Sequence, residues 1–325
     1  MKKIRWGIVG PGRIAQKFAS AIKNVAEAEL VAVASRSKER ADIFATEFGI
    51  PKVFESYEEM AASTEVDAVY VATPHPFHKP CSELFLNAKK HVLCEKPLCI
   101  NAYEARSLCD CAKQNGVFLM EAMWTRFLPA IIEAQKRVAA GEIGELRAIS
   151  ADFCGNVERV EDSRLFQNEL GGGSLLDVGI YSISAACFFA GYDVDSIHSH
   201  CRVEEGVDTH AAVILGYKNG TTAIATSAIT VQKPESAYVY GSEGSIFLPS
   251  FYRAQTLVLR KNGVETVIEK PSIGGGFEEE IIEACRCIAA GKLQSDVHPW
   301  SDSIKVMEIM DTVRRQNGIV YPSEK

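Results

Sequence analysis

The feature that most constrains the fold is a glycine turn near the start of the chain. Residues 4–9 read IRWGIV, Gly10-Pro11-Gly12 follows, and a helix-compatible segment begins at Arg13-Ile14. Glycine permits a tight turn and a close approach of the backbone to a ligand. The N–H groups and dipole of the following helix favour an anion. Residues 10–14 therefore predict a pyrophosphate site between a strand and a helix; a plain tight turn is the other interpretation.

Strands and helices alternate through the first 120 or so residues. Apolar runs at 29–34, 66–72, 91–94 and 117–121 predict strands, and helices are predicted at 38–48, 80–88 and 101–114. This alternation is typical of a doubly wound parallel sheet, a Rossmann-type α/β domain. Ligands bind such sheets beyond the carboxyl ends of the strands. Besides residues 10–14, the residues that we expect there are Ser35, Arg36, Thr73, Pro74, His75, His78, Glu95, Lys96 and Trp124.

The end of the second strand bears on the choice of cofactor. It reads Ser35-Arg36-Ser37, where a site that prefers NAD usually has an acid for the ribose hydroxyl. Hydroxyl and guanidinium donors suit a 2′-phosphate instead. We therefore predict NADP, with NAD as the alternative. In the competing interpretation Ser37 caps the helix 38–48 and Arg36 is solvated.

The pattern changes near Phe127. Helices are predicted at 129–140 and 174–190, and a strand at 146–154. Further strands at 208–217, 221–229, 236–240, 245–248, 256–260 and 265–269 follow one another through short turns, two of which contain Asn-Gly, a strong hairpin signal. Late helices are predicted at 276–290 and 301–317. We expect a dinucleotide-binding domain over 1–122 and an α+β domain with an antiparallel sheet over 123–325, with helix 301–317 as a candidate to pack back on the first domain.

One constellation in the second half is suited to proton transfer. Asp177 and Tyr181 lie four residues apart on a predicted helix, hence on one face. A tyrosine acts as acid and base for an alcohol–carbonyl pair only if a nearby ammonium stabilises its phenolate. Lys96 is the obvious supplier, and Asp177 could orient either group. A capped helix start and a buried structural tyrosine are the competing interpretation.

Composition excludes several classes of function. The net charge is −7 and no basic run occurs, which argues against nucleic-acid binding. No apolar run reads as long and uninterrupted enough to span a bilayer, so we expect no membrane partner. Ten cysteines are scattered without a C-x-x-C spacing. We expect reduced thiols, no metal and a cytoplasmic location.

Four stretches together resemble the Gfo/Idh/MocA oxidoreductase family: GIVGPGRIA (7–15), ATPHPFH (72–78), CEKP (94–97) and GGGSLLDVGIY (171–181). The segments at 93–97, 120–130 and 164–181 are most similar to its dimeric dihydrodiol dehydrogenase branch, which includes enzymes that oxidise D-xylose. The resemblance implies a Rossmann domain followed by a large open antiparallel sheet, and a homodimer or dimer of dimers through that sheet. It also implies that Lys96 and Tyr181 carry catalysis with support from Asp177.

The expected activity is NADP(H)-dependent hydride transfer to or from a secondary alcohol of a sugar, polyol or cyclic trans-diol. The aromatic candidates for the substrate site are Trp124, Phe127, Phe153, Phe166 and Phe277, and the candidate hydroxyl donors are Arg126 and Arg164. Three alternatives stay open. They are a glycosidase-type enzyme that uses bound NAD for internal redox, a non-catalytic nucleotide-sensing regulator, and an enzyme of this fold acting on an imine or tetrapyrrole.

Overall fold

The computed structural model describes residues 3–160 and 163–324. The chain divides into two compact units, each built from two segments. The first unit comprises Met1–Trp124 and Ile273–Ile304, and the second comprises Thr125–Ser272 and Lys305–Lys325.

The first unit is built on a six-stranded parallel sheet with strand order β3-β2-β1-β4-β5-β6. Its strands are β1 (Ile4–Val9), β2 (Ala28–Ala34), β3 (Lys52–Phe54), β4 (Ala68–Val71), β5 (His91–Glu95) and β6 (Leu119–Ala122). Its helices are α1 (Arg13–Ala21), α2 (Lys38–Phe48), α3 (Tyr57–Ala62), α4 (His78–Asn87), α5 (Ala102–Asn115) and α8 (Glu278–Ala289), and α9 (Trp300–Gln316) begins in it. The prediction of a doubly wound parallel sheet is confirmed.

Local chemistry explains where several of these elements begin. The Ser37 side chain accepts from the Arg40 N–H at the start of α2, and Asn101 accepts from the Glu104 N–H at the start of α5. The central strand β4 is buried along its whole length, as a parallel strand covered on both faces should be. β3 and α3 are not predicted from the sequence, because three and six residues are too few to show a hydrophobic period.

The second unit is built on an eight-stranded sheet with strand order β14-β13-β12-β11-β7-β10-β9-β8. The strands are β7 (Leu146–Cys154), β8 (Val194–Glu204), β9 (Val207–Tyr217), β10 (Thr222–Ala228), β11 (Ser236–Gly241), β12 (Gly244–Pro249), β13 (Thr256–Lys261) and β14 (Val264–Glu269). Its helices are α6 (Pro129–Ala139) and α7 (Ile180–Ala190). All neighbours pair antiparallel except β7 and β10, which are parallel, so the predicted antiparallel sheet is mostly confirmed.

Turn residues fix the register of the hairpins. Lys261 pairs with Val264 across Asn262 and Gly263, which have φ values of 53° and 74°. Positive φ at both central residues is the type I′ hairpin that Asn-Gly favours. β8 is not predicted from the sequence, because it is largely exposed, with polar residues such as His198 and His200, and shows no clear alternation of apolar and polar residues.

The two faces of this sheet differ. One row of paired residues across the central strands is buried and apolar: Leu215, Ala223, Ile149, Val239, Ile246 and Leu259. The adjacent row points to the other face and is half-exposed or exposed: Ile214, Ile224, Ser150, Tyr238, Phe247, Val258 and Val267. An antiparallel sheet usually has a polar solvated face, so this apolar second face is unusual.

The predicted helix 174–190 begins differently from expectation. Leu175–Gly179 forms a π-helical turn, and the α-helix α7 starts only at Ile180. Asp177 therefore lies in a π-helical turn and Tyr181 in the α-helix that follows it, whereas we expected both on one α-helix. Among the described residues, the segment Asn168–Ala190 is long and apolar enough to cross a membrane, contrary to the expectation from the sequence. Its most apolar window is 78% buried within the fold, which accounts for its composition.

Candidate active site

The glycine turn between β1 and α1 is tight at Gly10 and open at Gly12. Gly10 has φ of 87°, and a Cβ there would lie 3.1 Å from the Ala72 carbonyl oxygen. Gly12 precedes α1 without a side-chain cap, and a Cβ on it would point into open space. The first turn of α1 contains no acid. The uncapped N–H groups beside an open cradle fit an anionic dinucleotide.

The end of β2 presents donors. Ser35 is buried, and its Oγ accepts from the Ser37 N–H at 3.2 Å. Arg36 is exposed, with its guanidinium 5.1 Å from the centre of the Phe77 ring. Lys38 forms an ion pair with Glu55. Because β2 and β1 are neighbours in the sheet, Arg36 follows a strand next to the one that ends in the glycine turn.

Lys96 lies on the turn that follows β5, and buried side chains form hydrogen bonds to the backbone of this turn. Its N–H donates to Oε2 of Glu95 at 3.1 Å, and the Tyr70 hydroxyl donates to Oε1 of Glu95. The Lys96–Pro97 peptide is cis. The next N–H, that of Leu98, donates to Oε1 of Glu121 at 2.9 Å. The backbone that carries Lys96 is therefore fixed on both sides by carboxylates.

Glu121 is itself part of a buried cluster. Its Oε2 accepts from Nε2 of His298 at 3.0 Å and from Oγ of Ser303 at 2.6 Å. Burial alone would raise the pKa of Glu121, but the bonds from His298, Ser303 and the Leu98 N–H outweigh it and lower the pKa below its usual value. From the sequence, Glu121 is expected at this edge because it lies at the end of a strand, whereas no sequence pattern points to His298 or Ser303.

The segment after β4 carries the predicted pair of histidines. His75 and His78 are both buried, and their rings meet edge to face with centroids 5.6 Å apart. Nε2 of His78 contacts the Thr73 carbonyl oxygen and Nδ1 contacts the Pro97 carbonyl oxygen, each at 2.8 Å. His78 thus joins two of the segments expected at the cofactor edge.

The first unit also contains a stacked pair of aromatic rings and a buried carboxyl group. The rings of Trp124 and Phe277 stack with centroids 4.8 Å apart, and both side chains are buried. Glu280 on α8 is fully buried, and neither of its carboxyl oxygens has a hydrogen-bond partner within the described part of the chain. Burial, with a smaller contribution from Glu95, raises the pKa of Glu280 well above its usual value.

In the second unit, Tyr181 lies in an aromatic cluster. Its ring centroid is 5.3 Å from that of Phe153 and 6.1 Å from that of Tyr252, and Phe153 stacks on Tyr252 at 4.3 Å. Tyr181 is 7% exposed. Phe153 is a predicted substrate-site residue, whereas Tyr252 is not, because it lies in the short turn Phe251–Arg253, which no sequence pattern marks.

The predicted polar partners in this unit have defined contacts. Asp177 forms an ion pair with Arg164 at 2.6 Å, which orients both side chains. Arg126 is buried, donates to the Tyr192 hydroxyl, and lies 4.0 Å from the centre of the Phe188 ring. Phe127 and Phe166 are buried, the latter beneath the guanidinium of Arg159.

A buried carboxylate anchors the start of the helix that carries Tyr181. Asp208 is fully buried, and its Oδ2 accepts from Oγ of Ser174 at 2.6 Å and from the Leu175 N–H at 2.7 Å. Gly173 leaves room for it, since a Cβ there would lie 2.4 Å from Oδ1 of Asp208. Burial raises the pKa of Asp208 to about 7. From the sequence, Asp208 is predicted only as the first residue of a strand.

The two units also match one protein family along the chain. Residues 4–123 match the oxidoreductase family with an NAD-binding Rossmann fold, and residues 131–247 match the GFO/IDH/MocA C-terminal domain. The chain therefore belongs to the Gfo/Idh/MocA family of oxidoreductases, and the resemblance noted in the sequence is confirmed.

Particular relatives are similar over their whole length. The trans-1,2-dihydrobenzene-1,2-diol dehydrogenase of Danio rerio is 38% identical, with 99% of each chain covered. The scyllo-inositol 2-dehydrogenase (NADP(+)) of Bacillus subtilis is 35% identical, again with 99% of each covered. The solved structure of a 3-ketoreductase from Actinomadura kijaniata in complex with NADP and TDP-benzene is 28% identical, with a TM-score of 0.88 over 97% of this chain and 98% of that chain.

Proposed function

We propose that this protein is an NADP(H)-dependent oxidoreductase that transfers hydride between the nicotinamide and a secondary alcohol or carbonyl of a sugar, polyol or cyclic trans-diol. The observation that carries the proposal is the carboxyl edge of the parallel sheet. Three features follow neighbouring strands of one sheet, whose order is β2-β1-β4-β5 in this region. They are the open glycine turn after β1, the hydrogen-bond donors after β2 and the Lys96 turn after β5.

The preference for NADP is supported by the end of β2. Ser35, Arg36 and Ser37 supply hydroxyl and guanidinium donors where an acid would favour NAD. Arg36 is exposed and already oriented over Phe77, so little ordering is needed when it pairs with a 2′-phosphate. The inositol dehydrogenase relative is named for NADP(+), and the 3-ketoreductase was solved with NADP.

The substrate class is supported by the relatives and by the surroundings of Tyr181. The two sequence relatives are named for a cyclic diol and for an inositol, both of which are rings that carry secondary hydroxyl groups. Phe153 and Tyr252 surround Tyr181 with aromatic rings, which suit the apolar face of a cyclic substrate. The Asp177–Arg164 pair adds polar groups for its hydroxyls.

The roles that we assign follow from this chemistry. In oxidation Tyr181 takes the hydroxyl proton while hydride leaves the carbinol carbon, and in reduction it returns that proton. The bound nicotinamide accepts or supplies the hydride. Lys96 is the ammonium that we assign to stabilise the phenolate and to polarise the substrate oxygen, and Asp177 orients the catalytic groups.

The experiment is a screen of sugars, inositols and cyclic diols with NADP and NAD in parallel, followed by Tyr181→Phe. The variant should lower kcat at least ~100-fold, the usual contribution of general acid–base catalysis, and leave the Kd for NADPH near that of the wild type. Tyr217→Phe is a matched control, because it removes a phenol hydroxyl from a buried tyrosine at the end of β9 in the same unit. An undiminished kcat for Tyr181→Phe on an accepted substrate would contradict the assignment.

A second variant tests the choice of cofactor. Arg36→Ala should weaken NADPH binding by roughly 10- to 100-fold and NADH binding much less, because only NADPH has the phosphate that pairs with the guanidinium. The measurement is fluorescence titration with both dinucleotides. Arg40→Ala, an exposed arginine four residues along, is the control. Equal weakening of both cofactors would remove the argument for a 2′-phosphate site.

A second copy of this chain is the partner that we assign to the apolar sheet face. Ile214 and Ile224 pair across β9 and β10 and are each 45% exposed, next to the stacked rings of Tyr238 and Phe247. Such a patch is typical of an interface between subunits. Ile224→Lys should convert a dimer to a monomer in sedimentation velocity, whereas a wild type that sediments as a monomer would exclude this interface.

A further inference from the structure

His78, the first residue of α4, has a geometry that its predicted role as a cofactor contact does not explain. The side chain is 1% exposed, and its two ring nitrogens each lie 2.8 Å from a backbone carbonyl oxygen, those of Pro97 and Thr73. A carbonyl oxygen only accepts hydrogen bonds, so each contact needs an N–H on the imidazole. A neutral imidazole has one N–H, and an imidazolium has two.

In the neutral form, one ring nitrogen would direct its lone pair at a carbonyl oxygen, and this repulsion is poorly screened because the imidazole is 1% exposed. In the charged form both contacts become charge-assisted hydrogen bonds. We propose that His78 is held as an imidazolium and acts as a positioning residue, a buried cationic link between the turn after β4 and the turn after β5.

The two turns that His78 joins lie side by side at one edge of the parallel sheet. Strands β4 and β5 are parallel neighbours, with Val71 opposite Cys94, so the two turns leave the same edge side by side. Thr73 opens the segment Thr73–His78, and Pro97 directly follows Lys96. A bond from one ring to both carbonyl groups therefore sets the spacing between the first segment and the backbone that carries Lys96.

The remaining contacts of the Lys96 turn fit this role. Glu95 holds the Lys96 N–H and Glu121 holds the Leu98 N–H, so carboxylates hold the donors of the turn and His78 holds the acceptor between them. The effect on the dinucleotide rests on the proposed function, in which both turns face the cofactor. A fixed positive charge beneath these turns also favours an anionic ligand at this edge.

The ionisation is tested by nitrogen-15 NMR of the histidine rings in the full-length wild type at about pH 7.5, roughly one unit above the ordinary histidine pKa near 6.5. Both ring nitrogens of His78 should carry slowly exchanging protons. His91 is the internal control, because its Nδ1 accepts from the Phe118 N–H at 3.0 Å and burial lowers its pKa. A His78 ring with one protonated nitrogen, like that of His91, would overturn the proposal.

The positioning role is tested by His78→Gln, which keeps one amide donor group, beside His91→Gln as the matched control. His78→Gln should weaken NADPH binding on the order of 10-fold or more and lower kcat on an accepted substrate, while His91→Gln should change NADPH binding less than about twofold. A folded His78→Gln protein that binds NADPH and turns over like the wild type would refute the role.

The two tests separate this inference from the proposed function. The NMR measurement uses the wild type without cofactor, so it decides the ionisation even where His78→Gln does not fold. A wild type that binds neither NADPH nor NADH would contradict the proposed function and leave the NMR result standing.

Discussion

The turn that carries Lys96 and the helix start that leads to Tyr181 are each anchored by a buried carboxylate. Glu121 accepts from the Leu98 N–H at 2.9 Å in the first unit, and Asp208 accepts from the Leu175 N–H at 2.7 Å in the second. Both also accept from a serine hydroxyl at 2.6 Å, that of Ser303 and that of Ser174. The backbone geometry of the two anchors is therefore alike.

The charge balance of the two anchors differs. Glu121 has His298 at 3.0 Å, and this contact holds the pKa of its carboxyl below the usual value despite burial. Asp208 has no arginine, lysine or histidine within ion-pair distance in the segments 3–160 and 163–324, and burial raises its pKa to about 7. Its neighbours Tyr321 and Cys201 are neutral at pH 7, since burial raises the pKa of each.

Two carboxyl groups with similar hydrogen-bond geometry can therefore change the stability of the fold in opposite directions as pH changes. A carboxyl with a lowered pKa stabilises the fold above its unfolded pKa and loses that contribution as pH falls through the folded pKa. A carboxyl with a raised pKa stabilises the fold below its unfolded pKa and loses that contribution as pH rises through about 7. The first anchor should therefore weaken in acid and the second near neutrality and above.

The largest change in stability is expected when Glu121 loses the imidazole that pairs with its carboxylate. His298→Ala should lower the free energy of unfolding by ~3–5 kcal/mol near neutral pH, because it strands a buried carboxylate whose partner has gone. The measurement is urea unfolding followed by circular dichroism. His91→Ala in the same unit removes a half-buried imidazole that forms no ion pair with any residue that the structure describes, and should cost clearly less. Equal losses for the two variants would mean that the pair with Glu121 contributes little.

The next largest effect should be a gain in stability, whereas most substitutions at buried positions destabilise the fold. Asp208→Asn keeps the shape and removes the charge, so it should be more stable than the wild type at pH 8 by on the order of 2–4 kcal/mol. The gap should close as pH falls below about 7, where Asp208 itself becomes neutral. Unfolding free energies at a series of pH values measure this gap.

Glu121→Gln provides the mirror image of that experiment. Because the pKa of Glu121 is lowered, this variant should be less stable than the wild type at neutral pH, and the two should converge only in acid. If Asp208→Asn were destabilising at pH 8 as well, the two anchors would not differ in charge balance, and the comparison would fail.

Much of the framework could be predicted from local sequence. The glycine turn at Gly10 to Gly12, the caps at Ser37 and Asn101 and the hairpin at Asn262-Gly263 are set by residues within a few positions of one another. Such local chemistry determines where strands and helices begin and end. The roles of Lys96, Asp177 and Tyr181 were also predicted from the sequence, and they stay predictions.

The anchors could not be predicted because their partners are distant in the chain. Glu121 and His298 are 177 positions apart, and Asp208 and Ser174 are 34 apart. The signal that was available is a single carboxylate in an apolar strand context, as at Glu121 within VFLMEAMW and at Asp208 before AAVIL. A buried carboxylate needs partners, but the strand sequence alone does not say which residues supply them.

The smallest change in stability is expected when one serine hydroxyl is removed from each anchor. Because the two hydroxyls are equivalent, this pair of variants compares the two anchors most directly. Ser174→Ala and Ser303→Ala each remove one bond to a buried carboxyl and should cost ~1–2 kcal/mol. The cost of Ser174→Ala should rise between pH 6 and pH 8, because Asp208 gains its charge in that interval and a bond to a charged acceptor is the stronger one. The cost of Ser303→Ala should stay constant over the same interval, because Glu121 is ionised throughout. Urea unfolding of both variants at the two pH values measures this, and parallel pH slopes would show that Asp208 does not titrate near neutrality.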